Sequence, residues 1–463
     1  MKLSFVNQPW TVAAIPQGSD STGIWSYQVS RHLVRYGSIT YYGCENINNC
    51  SDKSKDSFSL NSPLEYRGIS SKIDNLLRIP RAIASRLSFN SPLPYFGSSW
   101  FHFGYGWQIA RDAEQRNYDV IHIHNHSQFI PMIRAQNPRA KIVLHLHCEW
   151  VNRLNREAIA SRLEKLDLVI SCSDYITNKI ARRFPEYADI CRTVNNGVDI
   201  DFFVPPVSYR SQHNSNAPQI LFVGRISPEK GIHDLIDAFV KVTEKYPQAV
   251  LTIAGPHIVV AKEFLFDLQP EPEVQALESF YSLNYLEYLK SQVPRHLSSQ
   301  IIFAGSLSQA ELLPYYHQAD VVINPSLSEA FGMSLVEAMA TETPVIATTI
   351  GGMPEIVEHG VNGLLVEPGN VAALAKATID IISDPCRAKA MGKAGRQKVL
   401  QRYSWEQITQ DLISCYAAIG VNCAAKIPKK TVARSLEKEN PENSALIKPR
   451  FASFRNDFLT PPR

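Results

Sequence analysis

The sequence reads Asp320-Val-Val-Ile-Asn-Pro-Ser-Leu-Ser-Glu-Ala-Phe-Gly-Met-Ser-Leu-Val-Glu-Ala-Met-Ala340 at the point that decides its fold. The short apolar run 320–324 predicts a buried parallel strand, and apolar residues at helical spacing predict a helix over 332–340. Glu329 then lies in the turn. The first helical amides, which favour a phosphate beside the helix dipole, belong to Gly332, Met333, Ser334 and Leu335. Glu337, one turn further in, is placed to accept hydrogen bonds from ribose hydroxyls.

A second motif, about a hundred residues earlier, supplies positive charge. It reads Gly224-Arg-Ile-Ser-Pro-Glu-Lys-Gly231 and follows a predicted strand over 219–224. Arg225 and Lys230 therefore flank a loop at the carboxyl end of a strand, where open α/β sheets bind ligands, and both can contact a phosphate. The loop is not a Walker loop, because Glu229 precedes the lysine and Gly231 follows it. Either motif alone could be a surface charge pair, but together they predict a site for a sugar nucleotide.

These motifs resemble those of the retaining GT-B glycosyltransferases of the large family four. The resemblance in the second half rests on Gly224-Arg225…Lys230-Gly231, Pro325-Ser326…Glu329…Phe331-Gly332…Glu337-Ala338-Met339-Ala340, Pro344-Val-Ile-Ala347 and Gly351-Gly-Met-Pro-Glu-Ile-Val357…Gly360…Asn362-Gly-Leu-Leu-Val366. In the first half it rests on Asp119-Val-Ile-His122, the strand ending at His147, and Asn196-Gly-Val-Asp199…Phe202. It covers most of residues 1–420 and implies an α/β protein of GT-B fold, with two Rossmann-like doubly wound domains facing each other across a cleft.

The resemblance also assigns roles to individual residues. The implied catalytic residues are Glu329, His147, Arg225 and Lys230, with His145 as a neighbouring candidate for the cleft histidine. The implied donor-binding residues are Arg225, Lys230, Gly332, Met333, Ser334, Leu335, Glu337, Ser306 and Leu307. The family usually has adjacent glycines after the first strand, whereas this chain has the separated Gly18 and Gly23 in its N-terminal loop. Contact between that loop and the donor phosphate is therefore left open.

Strands alternate with helices in two series, which predicts two domains with parallel sheets. The predicted first domain covers 1–207, with an insertion at about 44–103, and a linker follows at 208–218. The donor domain covers 219–402, with an insertion at about 256–298. A helix over 403–420 is expected to cross back to the first domain, as the resemblance implies. The segment 424–463 is expected to be a disordered basic tail, since 426–463 holds nine basic and four acidic residues and five prolines.

Composition narrows the classes of partner and compartment. The net charge of +3 over 463 residues argues against nucleic acid as the main partner. The eight cysteines form no Cys-x-x-Cys pair and no export signal opens the sequence, so reduced thiols in the cytoplasm are expected. No stretch approaches eighteen apolar residues, and none is expected to span a membrane.

Two patterns could hold a metal ion. Asp199-Ile-Asp201 has the spelling of an Asp-x-Asp site, but it follows Asn196-Gly-Val, where Asp199 is better explained as a helix cap. Five histidines near two strand ends could bind zinc, or they could form a polar cleft; these are His122, His124, His126, His145 and His147. Because no acidic or cysteine ligand repeats at metal spacing, the polar cleft is favoured. We therefore expect no metal and no cofactor, with Arg225, Lys230 and the helix amides neutralising the donor diphosphate.

The sequence favours a transferase that moves a sugar from a nucleoside-diphosphate sugar to a hydroxyl acceptor. The resemblance implies retention of configuration and a place in polysaccharide, glycolipid or glycoconjugate synthesis. A GT-B epimerase or hydrolase and a non-catalytic sugar-nucleotide-binding regulator are the alternatives. A dinucleotide dehydrogenase is disfavoured, because no Gly-x-Gly-x-x-Gly follows either domain's first strand.

One segment raises the question of a membrane. Apolar residues over 69–87 fall near one helical face beside Lys72, Arg78, Arg81 and Arg86, and an aromatic cluster follows at 95–107. Such a helix could lie on an anionic membrane, making the protein a peripheral enzyme at the cytoplasmic face with a lipid-linked acceptor. The same stripe could instead pack on the first domain, with a carbohydrate acceptor.

Overall fold

The structure is a computed structural model that describes residues 1–11, 20–45, 63–77, 93–206, 217–260, 262–266 and 272–425. The first domain contains β1 (Lys2–Val6), α1 (Ser21–Leu33), β2 (Ser38–Cys44), β3 (Leu64–Ile69), α2 (Lys72–Leu76), α3 (Phe103–Arg116), β4 (Val120–His124), α4 (Ile130–Gln136), β5 (Lys141–Leu146), α5 (Trp150–Arg153), α6 (Arg156–Leu163), β6 (Leu168–Ser171), α7 (Asp174–Arg183) and β7 (Cys191–Thr193). Its strands form a seven-stranded sheet of order β3-β2-β1-β4-β5-β6-β7. All of the pairings are parallel.

The second domain repeats this architecture. It contains β8 (Gln219–Val223), α8 (Ile232–Lys245), β9 (Val250–Ala254), α9 (Glu263–Phe266), α10 (Pro272–Gln275), α11 (Tyr285–Gln292), β10 (Ile301–Gly305), α12 (Gln309–Gln318), β11 (Val321–Asn324), α13 (Met333–Ala340), β12 (Val345–Thr348), α14 (Met353–Ile356), β13 (Gly363–Val366), α15 (Val371–Ser383) and α16 (Pro385–Arg402), and α17 (Trp405–Ala418) follows. The six-stranded sheet has the order β10-β9-β8-β11-β12-β13, again all parallel. The predicted pair of doubly wound domains is confirmed.

The central strands are apolar runs buried on both faces, as expected of parallel sheets covered by helices. The last helix, α17, packs mainly on α1 of the first domain. Its Ile408, Leu412 and Tyr416 share a core with Trp25 and Val29. Ser404 caps α17 by accepting a hydrogen bond from the backbone N–H of Gln407. The chain therefore returns to the first domain after completing the second.

The two domains also touch beside the cleft. The backbone N–H groups of Asp174 and Tyr175, which open α7, donate to the Glu355 carboxylate at 2.9 and 2.6 Å. Phe264, from α9 of the second domain, stacks on Trp150 with ring centroids 4.9 Å apart and lies 4.6 Å from the ring of Phe96. One hydrophobic core accordingly includes residues of both domains.

The structure corrects the expected helix over 69–87. Ile69 is the last residue of β3, the edge strand of the first sheet, and the helix that follows ends at Leu76. Asp74 does not face solvent, because its two carboxylate oxygens accept the N–H groups of Gly104 and Tyr105 and so cap α3. Residues 78–92, which carry the remaining apolar and basic positions, lie outside the described residues.

Two helix boundaries and one finding on membranes complete the description. Helix α1 begins at Ser21, where Asp20 caps it by accepting the N–H of Gly23 at 2.8 Å. In the insertion 256–298, a 3-10 turn, Glu278–Ser282, precedes α11. Within the described ranges, no helix has the length and apolar character needed to cross a membrane.

Candidate active site

The two motifs of the second domain meet at the carboxyl edge of its sheet. The loop after β8 turns through a 3-10 turn, Pro228–Lys230, and enters α8 at Gly231. Gly231 has a φ of +64°, and a Cβ there would lie 2.2 Å from the carbonyl oxygen of Pro325. Only glycine fits this position, because a side chain would collide with the backbone of the other motif. The loop after β8 and the loop after β11 are thus held in direct contact.

An ion pair joins these loops. Lys230 Nζ donates to Glu329 Oε2 at 2.7 Å, and Glu329 Oε1 accepts the N–H of Ala330 at 3.1 Å. Both side chains are largely buried. Burial by itself raises the pKa of Glu329, but the charge and hydrogen bond of Lys230, with the amide of Phe331, outweigh it and leave the pKa below its ordinary value. Glu329 is therefore an ionised carboxylate with a fixed orientation.

Arg225 is held by a second buried carboxylate, which the sequence did not single out as part of the site. Glu229 Oε1 accepts hydrogen bonds from Arg225 Nη2 at 3.0 Å and from Ser227 Oγ at 2.7 Å, and its Oε2 accepts the hydroxyl of Tyr281 at 2.7 Å. Burial by itself raises the pKa of Glu229, but the charges of Arg225 and Lys230 outweigh burial, so that the pKa is lower than its ordinary value. Tyr281 comes from the segment 256–298, so this insertion reaches the site. The side chain of Arg225 remains about a third exposed.

The helix that follows Glu329 is α13, which begins at Met333 with Gly332 as its cap. The amides of Met333 and Ser334 open this helix, as the sequence predicted. The amide of Leu335 does not belong with them, because it donates to the carbonyl of Gly332 at 3.0 Å in a tight first turn. Of the four amides predicted to face a phosphate, that of Leu335 is thus already bonded within the helix.

Glu337 lies buried in the first turns of α13. Its Oε2 accepts the hydroxyl of Tyr316 at 2.7 Å, and its Oε1 accepts Gln309 Nε2 at 3.3 Å. Burial raises the pKa of Glu337 to about 7, since these two neutral donors compensate only part of the desolvation. The sequence did not identify either partner, because both come from α12 and meet Glu337 only through packing. Ser306 is exposed and Leu307 half-buried in the loop that leads into α12, where Ser308 caps the helix.

The loop between β12 and α14 closes the site from a third side. Gly351 has a φ of +63°, and a Cβ on it would lie 1.6 Å from the carbonyl oxygen of Glu329. A Cβ on the next residue, Gly352, would lie 2.9 Å from the Cβ of Ser173 in the first domain. The glycine pair therefore allows this loop to pass between the Glu329 turn and the opposite domain.

In the first domain, His147 directly follows β5. The backbone N–H of His147 donates to Asn125 Oδ1 at 2.8 Å, and its ring Nε2 lies 3.0 Å from His124 Nδ1. Burial lowers the pKa of His147 to about 3, so the imidazole is neutral. Its neighbour His145 is fully buried and bonds to His122, which places His145 behind the cleft rather than at it. In the N-terminal loop, Gly23 lies in the first turn of α1, and Gly18 lies outside the described residues.

Three of the histidines could be metal ligands by proximity. One nitrogen from each of His122, His124 and His145 lies within 4.8 Å of the others, a donor type that zinc accepts. Two of these imidazoles already share a hydrogen bond, His122 Nε2 with His145 Nδ1 at 3.1 Å, and His122 Nδ1 lies 2.7 Å from the hydroxyl of Tyr416. The three side chains thus belong to a buried hydrogen-bonded cluster. Asp199 is a cap, because its Oδ1 accepts the N–H groups of Asp201 and Phe202.

Comparison with known proteins places this architecture in a family. The family description "Glycosyl transferases group 1" matches residues 208–398, and "Glycosyltransferase Family 4" matches residues 75–202. Glycogen synthase of Mycobacterium tuberculosis is 30% identical over 313 residues, which are 65% of this chain and 69% of that protein. Lipopolysaccharide 1,2-N-acetylglucosaminetransferase of Salmonella typhimurium is 27% identical over 402 residues, which are 85% of this chain and 93% of that protein.

Solved structures share the fold. The crystal structure of Anabaena Alr3699/HepE in complex with UDP and glucose matches with a TM-score of 0.62 and 20% identity, covering 90% of this chain and 100% of that one. Sucrose-phosphate synthase from Thermosynechococcus elongatus matches with a TM-score of 0.60 and 23% identity, covering 90% and 99%. Two parallel-sheet domains, the meeting of the two motifs and these similarities agree, and the chain belongs to the group 1 glycosyltransferases of family four, with the GT-B fold.

Proposed function

We propose that this glycosyltransferase takes its sugar from a nucleoside-diphosphate sugar, retains the configuration at the anomeric carbon, and needs no metal. The observation that carries the proposal is the contact of Lys230 with Glu329 at 2.7 Å, beside the opening of α13. It brings a cation, a fixed carboxylate and free helix amides into one small region. A diphosphate with a sugar attached is the ligand that matches such a combination.

Each part of the donor has a proposed partner. Arg225 and Lys230 neutralise the diphosphate together with the amides of Met333 and Ser334, because charge builds on the leaving group as the sugar bond breaks. Glu337 accepts the ribose hydroxyls in its ionised form. Ser306 and Leu307 lie on the loop next to α12 and are proposed to face the nucleoside. Glu329 is proposed to accept hydroxyl groups of the sugar from the side opposite His147.

The contacts of the two carboxylates support the proposed reaction course. Glu329 is bound to Lys230 and to a backbone amide, and Glu337 to Tyr316, so neither carboxylate is free to form a covalent sugar adduct. The acceptor oxygen then bonds to the anomeric carbon on the face from which the diphosphate departs. The acceptor proton passes to a leaving phosphate oxygen. This route gives retention without a protein nucleophile.

A donor screen tests the proposal. UDP-, GDP- and ADP-sugars would be compared by thermal shift, starting with UDP-glucose because the structurally similar Anabaena protein was crystallised with it. Products with a sugar or glycolipid acceptor would then be identified by mass spectrometry and their anomeric configuration by NMR. An inverted product would exclude the retaining course. Epimer formation or equally fast nucleoside diphosphate release without acceptor would favour an epimerase or hydrolase, and binding without turnover a regulator.

We also propose a carbohydrate or lipid-linked acceptor, met by a peripheral enzyme at the cytoplasmic face of a membrane. In the described part of 69–107, Phe96 and Tyr105 pack into the first domain, whereas Leu76 and Trp100 are exposed. We propose that the basic residues of 78–92 provide the attachment. Sedimentation with anionic liposomes at low salt tests it. Loss of binding in a variant with Arg78, Arg81 and Arg86 changed to Glu is expected. Equal binding of this variant and the wild type would eliminate the segment as an anchor.

A further inference from the structure

The insertion of the donor domain makes aromatic contacts in two directions. Phe264, on the short helix α9, stacks on Trp150 with ring centroids 4.9 Å apart and lies 4.6 Å from the ring of Phe96, and both partners belong to the first domain. Phe264 and Phe96 are buried. Two positions further along the same helix, Phe266 meets the ring of Tyr281 edge to face, with centroids 5.0 Å apart. One short helix therefore connects the first domain to Tyr281.

Tyr281 in turn contacts a buried carboxylate of the donor domain. Its hydroxyl donates to Glu229 Oε2 at 2.7 Å, while Glu229 Oε1 accepts hydrogen bonds from Ser227 Oγ and Arg225 Nη2. Glu229 is only 4% exposed, so water does not readily replace a hydrogen bond lost at Oε2. The backbone carbonyl of Glu229 accepts the N–H of Leu327 at 2.8 Å. Glu229 is thus fixed through its backbone and through both carboxylate oxygens.

Arg225 depends on this carboxylate for its orientation. A long side chain that is about a third exposed would otherwise sample many rotamers. The contact of Nη2 with Glu229 Oε1 at 3.0 Å restricts these rotamers, and a guanidinium has further N–H groups with which to bind an anion. Such preorganisation increases affinity, because less conformational entropy is lost when the anion binds. A displaced Glu229 would therefore weaken the binding of a phosphate by Arg225.

We propose that Phe264, Phe266 and Tyr281 form a brace that makes the placement of Arg225 depend on the contact between the two domains. Tyr281 is the positioning residue of this brace, because it holds Glu229 and Glu229 holds Arg225. That Arg225 binds the donor diphosphate rests on the proposed function, whereas the coupling of Tyr281 to Arg225 does not. By linkage, donor binding must also strengthen the contact of Phe264 with the first domain.

The coupling is measurable in the ligand-free protein. Urea unfolding of Tyr281→Phe, Arg225→Ala and the double variant forms a double-mutant cycle. We expect the shift of the unfolding midpoint in the double variant to differ from the sum of the two single shifts, because both changes act on the carboxylate of Glu229. Additive shifts would overturn the proposal.

Nucleoside diphosphate binding tests the functional consequence. The probes are UDP, GDP and ADP, and the one that binds the wild type is titrated into the variants. We expect Tyr281→Phe to weaken its binding about twofold to tenfold, the range of one hydrogen bond, and to have no further effect in Arg225→Ala. Binding of the corresponding nucleoside, which has no phosphate, should not change. If none of the three probes binds, that result counts against the proposed function, and the urea cycle still decides the coupling.

Tyr285→Phe is the matched control. Tyr285 lies in the same insertion, is fully buried, and places its hydroxyl 2.7 Å from His233 Nδ1. We expect this variant to keep the wild-type affinity for the nucleoside diphosphate. Equal losses of affinity in Tyr281→Phe and Tyr285→Phe would mean that the insertion supports the domain only in general, and would refute the positioning role.

Phe96→Leu tests the other end of the brace. Phe96 is buried in the first domain, and replacing its ring removes the aromatic contact with Phe264. We expect weaker nucleoside diphosphate binding in Phe96→Leu, and no further weakening when Phe96→Leu is added to Tyr281→Phe. An effect of Phe96→Leu that is equally large in both backgrounds would show that the first domain acts on the donor site by another route, and the brace would be refuted.

Discussion

The raised pKa of Glu337 predicts a measurable dependence of stability on pH. Its pKa in the folded protein is about 7, against an ordinary value of 4.5. Burial destabilises the ionised carboxylate more than the hydrogen bonds from Tyr316 and Gln309 stabilise it. When the pKa of a carboxyl group is higher in the folded than in the unfolded protein, the group stabilises the fold fully at a pH below its unfolded pKa. This contribution is lost as the pH rises through its folded pKa. The wild type should therefore lose stability between pH 5 and pH 8 from this residue.

The size of the effect follows from the two pKa values. Each pKa unit corresponds to about 1.4 kcal/mol, and between pH 5 and pH 8 the linkage relation gives a loss of about 2 to 3 kcal/mol. Glu337→Gln does not titrate, and its amide oxygen can still accept the hydroxyl of Tyr316. The difference in free energy of unfolding between Glu337→Gln and the wild type should therefore shift in favour of the variant by about 2 to 3 kcal/mol from pH 5 to pH 8, whatever the difference is at pH 5.

Urea unfolding of the donor domain at several pH values measures this difference. Glu229→Gln is the matched control, because Arg225 and Lys230 hold the pKa of Glu229 below its ordinary value and its contribution is already present above pH 5. The Glu229→Gln difference should be nearly flat between pH 5 and pH 8. A Glu337→Gln difference that is equally flat would show that Glu337 is ionised throughout, and the burial argument would be wrong. Donor affinity of the wild type should fall below about pH 7, as the ribose acceptor is protonated.

Three further outcomes are expected. Arg225→Ala and Lys230→Ala should each weaken donor binding about tenfold to a hundredfold in a calorimetric titration, because each removes a charged hydrogen bond. The control Lys376→Ala, at an exposed lysine, should not weaken it. Donor affinities within twofold of the wild type in both variants would refute the diphosphate role. Transfer should survive EDTA, whereas full loss that Mn²⁺ or Mg²⁺ restores would return Asp199 and Asp201 as ligands. Phe264→Ala should lower the free energy of unfolding by about 3 to 5 kcal/mol. It should also increase the radius of gyration in small-angle scattering, because the stack of Phe264 on Trp150 joins the two domains. An unchanged radius would mean that other contacts keep the domains together.

The sequence allowed the fold to be predicted because the determining signals are local. Buried apolar runs followed by helical periodicity specify strand, turn and helix within about twenty residues, as in 320–340, and the order of such units specifies parallel sheets. Arg225, Lys230 and Glu329 were singled out by the same local logic, from charge and from position after a strand, whereas the family resemblance implied the remaining site residues, such as His147. That logic could state the chemical type of each side chain, such as the carboxylates of Glu329 and Glu337.

The tertiary structure decided which groups those side chains meet. Tyr281 reaches Glu229 from 52 positions along the chain, and Tyr316 reaches Glu337 from 21. Asp74 lies in the segment expected to form a basic amphipathic helix, but the structure makes it a buried cap for α3. No periodicity encodes such contacts, because they depend on how helices and loops from distant segments pack. Burial and hydrogen-bond partners together set the charge state of a carboxyl group. Packing, and not the local sequence, therefore lowers the pKa of Glu329 and raises that of Glu337 to about 7.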